Sequence, residues 1–398
     1  MKGELRVLHV ITRLIVGGAQ ENTVASVLGL RARENLSVRL ISGATQGAEG
    51  SLESQFTGAP EALTMIPELV RPIHPWKDVW ALGKLGRLFR AAYPDIVHTH
   101  SGKAGILGRV AARKAGVPIV VHTIHGPSFG CFQGWLANRV FSAAERYAAR
   151  RTTHFVSVAD AMTRQYLAAG IGKPDQFTRI WSGFDLEPFL GAHNDSAVRA
   201  KLGIAADDFV IAKLARLTPL KGHEDLIAVA PEVISRNPKT RFLLIGDGPL
   251  RESLRRKIGG LADKFVFAGL VNPEQVPGLV GIADALVHLS RREGLPRAVP
   301  QALAAGKPVV AYDCDGAPEV CIDRKTGFLV GPGNRKVLVE RLNQLAGDPA
   351  MRRRFGEAGR ELVRERFSVQ RMIDALEELY WRLAAGARLP QTQSHAVS

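Results

Sequence analysis

The sequence is poor in cysteine and has no long apolar run. Its three cysteines, Cys131, Cys314 and Cys321, have neither a paired framework nor the spacing of a metal site. We therefore expect a reducing compartment, with the thiols as small buried side chains. No stretch of about 18 apolar residues predicts a membrane-spanning helix. Charges interrupt the apolar N-terminal stretch MKGELRVLHVITRL, so we expect no signal peptide and a cytoplasmic protein.

Acidic residues are also in deficit. The chain has 53 lysines and arginines against 38 aspartates and glutamates, a formal net charge of +15. This excess predicts an anionic partner such as nucleic acid, acidic lipid headgroups or a phosphorylated small molecule. Aromatic residues make up only 7%, whereas single-strand nucleic-acid surfaces need exposed rings among the cations. We therefore expect no nucleic-acid partner.

Short β-branched runs alternate with longer helical segments along the 398 residues. Fully apolar strands alternating with helices are typical of parallel sheets covered on both faces. The predicted fold is α/β, with two doubly wound, Rossmann-like domains facing each other across a cleft. We place these domains at 1–188 and 197–367, followed by a helix at 368–385 that packs back on the first domain and a disordered tail at 386–398. The predicted strands are 7–11, 38–41, 96–99, 119–123, 155–158, 209–214, 242–245, 265–267, 285–289 and 309–312.

Polar and glycine motifs follow several of these strands, where ligands of doubly wound sheets bind. Gly17 and Gly18 precede a predicted helix, and the free N–H groups at a helix start favour an anion. Arg216 and Lys221 also lie near a helix start, although cations are favoured at the other end of a helix. A bound anion would explain them, and a guanidinium with an ammonium group suits a diphosphate.

The strongest constellation is SRREGLPRAVPQALAAGKPVVAYDCDGAPEV. Glu293 follows a predicted strand, and Gln301 comes eight residues later in a predicted helix. A helical rise would separate the two by about 12 Å, which would let each hold a different sugar with a diphosphate between them. Gly246 and Gly248 have the strand–glycine–helix layout of a nucleotide fold without the full G-x-G-x-x-G pattern, and a structural turn is an equal alternative.

Four histidines, His98, His100, His122 and His125, lie at the ends of two neighbouring predicted strands. A zinc site would need cysteine or acidic ligands in metal-site spacing, so zinc is the weaker alternative. His125, directly before Gly126, is best placed to contact a ligand. The other three are predicted to be structural, hydrogen-bonded histidines.

The stretches ARLTPLKG (215–222), IGDGPLR (245–251) and EGLPRAVPQALAAGKPVVA (293–311) resemble those of the retaining glycosyltransferases of family four, which have the GT-B fold. The resemblance covers nearly the whole chain. It implies sugar transfer from a nucleotide diphosphate sugar, UDP by default, to a glycan or lipid-linked acceptor in cell-envelope or polysaccharide synthesis, without a metal or other cofactor. A nucleotide-sugar epimerase of the same fold is the alternative, and it would leave no role for an acceptor.

The resemblance also implies roles for individual residues. Arg216 and Lys221 would bind the donor diphosphate, Glu293 the donor sugar, and His125 would lie at the reaction centre. Gln301 stands where the family has a second Glu for the ribose, and its amide can still bond hydroxyls. Pro296, often Gly in the family, lacks an N–H group, which leaves those of Arg297 and Ala298 for the phosphates. The predicted donor-binding residues are Gly17, Gly18, Gly246, Gly248, Gly269, Gly294, Arg297, Ala298 and Gln301.

A basic region lies between Arg71 and Arg151, with 13 basic and 3 acidic residues. In its predicted helix at 77–92, Trp80 shares one face with Lys84 and Arg87, an arrangement that suits the headgroup layer of an anionic membrane. A solvated basic face with Trp80 packed inward is an equal alternative. The predicted core-facing stripe of this helix is Val79, Leu82, Leu85 and Phe89.

Overall fold

The computed structural model describes residues 3–45, 50–130 and 132–387. The chain divides into two compact units: Met1–Gly183 with Val369–Ser398, and Phe184–Ser368. The division falls earlier than the predicted boundary at 188, because residues 187–190 form a short helix that packs against helices of the second unit. Cys131 and the predicted tail from 388 onward lie outside the described residues, while Cys321 is buried and Cys314 half-buried.

The first unit contains a parallel sheet with the strand order β3-β2-β1-β4-β5-β6-β7. Side chains alternate across it: Val7 and Ile11 enter the core beneath the first and last helices of the unit, whereas Leu8 and Val10 enter the core beneath the second and third. Both faces are therefore covered, as the apolar strands predicted. The elements are β1 (Leu5–Ile11), α1 (Gly18–Arg31), β2 (Leu36–Ser42), β3 (Leu63–Met65), α2 (Pro75–Ala92), β4 (Ile96–His100), α3 (Gly102–Lys114), β5 (Ile119–Ile124), α4 (Trp135–Ala149), β6 (His154–Ser157), α5 (Asp160–Ala168) and β7 (Phe177–Arg179).

The second unit contains another parallel sheet, in the order β10-β9-β8-β11-β12-β13. Its elements are α6 (Glu187–Leu190), α7 (Ser196–Lys201), β8 (Phe209–Leu214), α8 (His223–Arg236), β9 (Thr240–Ile245), α9 (Arg251–Ile258), β10 (Phe265–Gly269), α10 (Val276–Gly281), β11 (Ala285–His288), α11 (Ala298–Ala304), β12 (Val309–Tyr312), β13 (Gly327–Val330), α12 (Arg335–Gly347) and α13 (Pro349–Arg366).

The final helix, α14 (Val369–Gly386), belongs to the first unit and packs against α1. Its buried face includes Met372, Ile373 and Tyr380. Ser368 and Val369 are neighbours in the chain but lie in different units. The first strand and the last helix, by contrast, share one hydrophobic core. No helix among the described residues is long and apolar enough to span a membrane.

Three strands were missed by the sequence prediction: β3, β7 and β13. All three are edge strands of three or four residues. A short edge strand has one hydrogen-bonded neighbour and little buried surface, so it leaves a weak apolar signal in the sequence. One helical prediction also needs correction, because Val79 is 62% exposed whereas Leu85 and Phe89 are buried as expected. The first turn of α2 lies outside the core, which begins at Ala81.

Candidate active site

The site in the second unit lies where the strand order reverses, between β8 and β11. Loops that follow such strands diverge and leave room for a ligand at the carboxyl edge of the sheet. The loop after β8 carries Arg216 and Lys221, and the loop after β11 carries Glu293. The two loops touch directly, since Arg291 N donates to Leu220 O at 2.8 Å and Lys221 Nζ forms an ion pair with Glu293 Oε1. The fold thus brings together the ammonium group of Lys221 and the carboxylate of Glu293 from positions 72 residues apart.

The predicted glycines Gly246 and Gly248 bring the loop after β9 close to the loop after β8. A Cβ atom on Gly246 would lie 2.3 Å from Ala215 O, and one on Gly248 would lie 2.6 Å from Leu217 O. Gly246 N also donates to Gly269 O at 3.0 Å, which joins the ends of β9 and β10. These glycines therefore permit the close backbone approach that positions Arg216.

Electrostatics keep Glu293 ionised. Burial alone would raise the pKa of this carboxyl group, but Lys221, His288 and nearby hydrogen bonds lower it below its usual value. His288 Nε2 lies 3.6 Å from Glu293 Oε1 and is buried, and burial lowers the pKa of His288 to about 4. Glu293 N donates to Asp315 Oδ2 at 2.8 Å, which fixes the loop at its backbone.

Two features of this site escaped the sequence prediction. Lys213, in the middle of the buried strand β8, has its pKa lowered to about 7 by burial and by the charge of Lys221. The sequence signal that could have revealed Lys213 is the presence of a lysine in an otherwise apolar strand. Asp313 and Asp315 form an Asp-x-Asp pair after β12, and Asp315 contacts the Glu293 backbone.

The helix after Glu293 is shorter than predicted. α11 spans Ala298–Ala304, and residues 293–297 precede it as a turn. The predicted separation of about 12 Å assumed a continuous helix between Glu293 and Gln301, and that assumption was wrong. Gly294 lies in that turn, Arg297 is the N-cap residue, and Gln301 N donates to Arg297 O at 3.3 Å.

In the first unit, Gly17 and Gly18 stand at the start of α1, after β1. Gly17 has an extended backbone with φ 174°, a conformation that any residue can adopt. A Cβ atom there would meet only the side-chain oxygen of Gln20, at 3.0 Å. The local backbone therefore does not require glycine at position 17.

His98, His100 and His122 are buried and hydrogen-bonded, as predicted, and His125 follows β5. The structure adds His9 from β1. One ring nitrogen each from His9, His98 and His100 lies within 4.8 Å of the others, a group that could hold a metal ion. Burial lowers the pKa of His9 to about 3 and that of His125 to about 4, so these rings are neutral at neutral pH.

The stretch 95–109, from the end of the loop before β4 into α3, has a packing role. A Cβ atom on Gly105 would lie 2.5 Å from the His122 ring, and one on Gly108 would lie 2.7 Å from Thr99. Arg109 forms a fully buried ion pair with Glu145 of α4 at 2.7 Å. Small residues and this ion pair therefore hold α3 against the sheet and α4.

Two protein families match the chain. The family described as "Glycosyl transferase 4-like domain" matches residues 17–180, and "Glycosyl transferases group 1" matches 194–362. An Escherichia coli UDP-Gal:alpha-D-GlcNAc-diphosphoundecaprenol alpha-1,3-galactosyltransferase is 28% identical over 95% of this chain and 97% of its own length. A Mycolicibacterium smegmatis GDP-mannose-dependent alpha-(1-6)-phosphatidylinositol monomannoside mannosyltransferase is 30% identical over 71% of this chain and 72% of its own.

Solved structures share the fold over nearly the whole chain. The Anabaena protein HepE in complex with UDP and glucose has a TM-score of 0.80 at 21% identity, covering 95% of this chain and all of its own. Sucrose-phosphate synthase from Thermosynechococcus elongatus has a TM-score of 0.79 at 21% identity, covering 96% of this chain and 100% of its own. The GT-B fold predicted from the sequence is confirmed.

Proposed function

Because this chain belongs to the group 1 glycosyltransferases, which use nucleotide sugars, we propose that it moves a hexose from a UDP-sugar to a lipid-linked glycan, with retention of configuration. The observation that carries the proposal is the ion pair between Lys221 and Glu293 at the switch point of the second sheet, on the same loop that carries Arg216. Relatives named for cell-envelope glycans support this class of acceptor, since the Escherichia coli protein acts on a diphosphoundecaprenol-linked sugar.

In this proposal Arg216 and Lys221 bind the donor diphosphate. Lys221 is paired with Glu293. A diphosphate would attract the ammonium group, while the carboxylate would accept hydrogen bonds from sugar hydroxyls. The N–H groups of Arg297 and Ala298 contact the phosphates, and Gln301 binds the ribose. The close contacts of Gly246 and Gly248 support the loop that carries Arg216, and Gly269 O accepts a hydrogen bond from Gly246 N.

Retention follows from attack on the same face as the leaving group. The acceptor oxygen forms a bond to the anomeric carbon as the bond from that carbon to the diphosphate oxygen breaks. The acceptor proton passes to a phosphate oxygen, and Arg216 and Lys221 stabilise the charge that develops on the diphosphate. In this scheme the two cations take the place of a metal ion. His125 lies beside the donor sugar, and Gly17 and Gly18 leave room for the phosphates and the acceptor.

A thermal-shift panel of UDP, GDP and their sugars tests the donor, since a bound ligand stabilises the folded state by mass action. We expect UDP and a UDP-sugar to raise the melting temperature, and Lys221→Ala to abolish the rise. Incubation with donor alone separates transfer from epimerisation, because a transferase slowly releases free sugar whereas an epimerase returns an isomeric nucleotide sugar. A rise with GDP compounds only would contradict the UDP assignment, and an inverted anomer in the product would contradict retention.

The acceptor proposal is supported by exposed apolar residues in the first unit. Trp76 and Trp80 of α2 are 72% and 61% exposed, and Trp135 of α4 is 71% exposed. Ile73, Leu136 and Val140 beside them are also exposed, and both helices pack against α3. Tryptophans near cations suit the headgroup layer of a bilayer, so we propose peripheral binding to an anionic cytoplasmic membrane surface.

Some cations of the basic region between Arg71 and Arg151 form ion pairs with carboxylates within the fold. Lys84 pairs with Glu68 at 2.6 Å, and Lys103 pairs with Asp78. Arg139 lies over the Trp135 ring at 5.0 Å, which joins a charge to an exposed aromatic group. A cation near an anionic surface adds about 1 kcal/mol to binding. Because some of these cations are paired within the fold, we expect insertion of the exposed apolar side chains into the headgroup layer to contribute as well.

Vesicle sedimentation tests the membrane proposal. We expect binding to phosphatidylglycerol vesicles, release as salt rises, and no binding to phosphatidylcholine. The double variant Trp76→Ser with Trp80→Ser should bind several-fold less. Leu270→Ser, which removes an equally exposed apolar residue from the second unit, is the matched control. Equal binding to both kinds of vesicle, or to neither at low salt, would favour a water-soluble acceptor.

A further inference from the structure

A continuous line of hydrogen-bonded side chains connects His125 to the last helix. His125 Nε2 lies 3.1 Å from His100 Nδ1, and His100 Nε2 lies 2.9 Å from His9 Nδ1. His9 Nε2 is 3.1 Å from the hydroxyl of Tyr380, which belongs to α14. The same hydroxyl lies 2.5 Å from His98 Nδ1, and His98 Nε2 lies 2.6 Å from Thr123 Oγ1. The line contains, in order, His125, His100, His9, Tyr380, His98 and Thr123.

Only two arrangements of the protons give every N–H and O–H group inside this line an acceptor. His9, His98 and His100 are buried, and burial lowers the pKa of each, so each ring is neutral and carries a single N–H. Both ring nitrogens of each are engaged in the line, so each ring donates on one side and accepts on the other. Tyr380 has one O–H to donate, and if both neighbouring rings donated to its oxygen that buried O–H would have no acceptor in the line. With every donor bonded, all protons therefore point toward Thr123 or all toward His125.

Thr123 decides between the two arrangements. It is buried, and within the described ranges its hydroxyl has one hydrogen-bond partner, His98 Nε2. If His98 donated to Thr123, the Thr123 O–H would remain buried without an acceptor, which is unfavourable. If Thr123 donates, every donor in the line has an acceptor. The favoured arrangement therefore directs the protons toward His125.

The direction of the protons determines which ring nitrogen of His125 can donate a hydrogen bond to a ligand. Its Nε2 atom accepts a hydrogen bond from the Nδ1–H group of His100, so the neutral ring carries its own proton on Nδ1. We propose that Thr123, His98, Tyr380, His9 and His100 are positioning residues that hold His125 in the Nδ1–H tautomer, as a hydrogen-bond donor to an oxygen of the donor sugar or leaving phosphate. The inference rests on the proposed function in placing His125 beside the donor.

The tautomer can be measured without donor or acceptor. Histidine labelled with nitrogen-15 gives long-range nitrogen–proton spectra in which Nδ1–H and Nε2–H rings differ. Signals of the eleven histidines can be assigned by single substitutions such as His125→Asn. We expect one Nδ1–H tautomer for His125 in the native protein, and a mixture in Tyr380→Phe and Thr123→Val. Thr123→Ser, which restores the hydroxyl, should restore the single tautomer.

Kinetics give the second measurement. Loss of a hydrogen bond that orients a functional group typically costs about 10- to 100-fold, so Tyr380→Phe should lower kcat by that factor. The donor KM and the affinity for UDP should stay within about twofold, because phosphate and ribose contacts are untouched. Tyr166→Phe is the matched control, since Tyr166 is also buried in the first unit but lies outside the line.

Three results would overturn the proposal: an Nε2–H tautomer of His125 in the native protein, an unchanged tautomer in Tyr380→Phe, or one equivalent of tightly bound metal lost in His98→Asn. A bound metal would occupy ring nitrogens that the line requires. If the tautomer responds as expected but the native protein transfers no sugar, the proposed function fails while the positioning role stands. A kcat loss with an unchanged tautomer would instead assign Tyr380 a packing role.

Discussion

Mild acid should unfold the first unit, because that unit buries histidines in their neutral form. His9, His98, His100 and His122 are buried and His125 is half-buried, and desolvation is the largest cause that lowers the pKa of each below its ordinary value of 6.5. The folded protein then binds fewer protons than the unfolded chain. The stability that these groups contribute is therefore full well above pH 6.5, and it falls as the pH drops through 6.5 toward about 4, where the first folded-state groups titrate.

The magnitude follows from the protons that the unfolded chain takes up. Between pH 6.5 and 5.5, an unfolded histidine gains about 1 kcal/mol relative to one that stays neutral in the fold. Five such residues give about 5 kcal/mol, comparable to the whole stability of an ordinary domain. This pH range lies above the usual carboxyl pKa values, so the histidines should dominate the dependence.

Tryptophan fluorescence can follow the first unit alone. All five tryptophans of the chain lie in it, at positions 76, 80, 135, 181 and 381. Urea titrations at pH 7.5, 6.5 and 5.5 should show a free energy of unfolding that falls by about 2 kcal/mol over the first step and by about 5 kcal/mol over the second.

Replacing one of the five, as in His122→Asn, should reduce the fall between pH 6.5 and 5.5 by about 1 kcal/mol. His74→Gln, which removes an exposed imidazole at the start of α2, is the matched control and should keep the full fall. A free energy of unfolding that does not change between pH 6.5 and 5.5 would refute the reasoning, since it would mean that the five rings are accessible to protons in the folded state.

Three further changes test the two units separately. Arg216→Ala should lower turnover on the order of 10²–10³, or about 3–4 kcal/mol, and turnover within a few-fold of the native value would remove it from the diphosphate site. Gln301→Leu should raise the donor KM while Gln301→Glu is tolerated; an unchanged KM in the leucine variant would make the residue structural. Arg109→Met should destabilise the first unit by about 3–5 kcal/mol in urea titrations, because Glu145 stays buried without its partner. Arg113→Met, on the exposed part of the same helix, is the control, and an equal loss in both would contradict a special role for the buried pair.

The sequence alone determined the fold class and the positions of the loops that we propose to bind the donor. Apolar strands such as β8 and β12 were predicted with their observed bounds, because central strands of a parallel sheet are buried on both faces and leave continuous apolar runs. Arg216, Lys221 and Glu293 were assigned to one site because each follows a strand, and the carboxyl ends of parallel strands share one edge.

Only the tertiary structure decided which side chains meet. His9 and Tyr380 are 371 positions apart, yet they share a hydrogen bond, and no local pattern encodes a contact at that separation. The same holds for the Lys221–Glu293 pair and for the burial of Lys213, which depend on neighbouring strands. Exposure of Val79 was also decided by packing, because helical periodicity gives the direction of a side chain but not where the core begins.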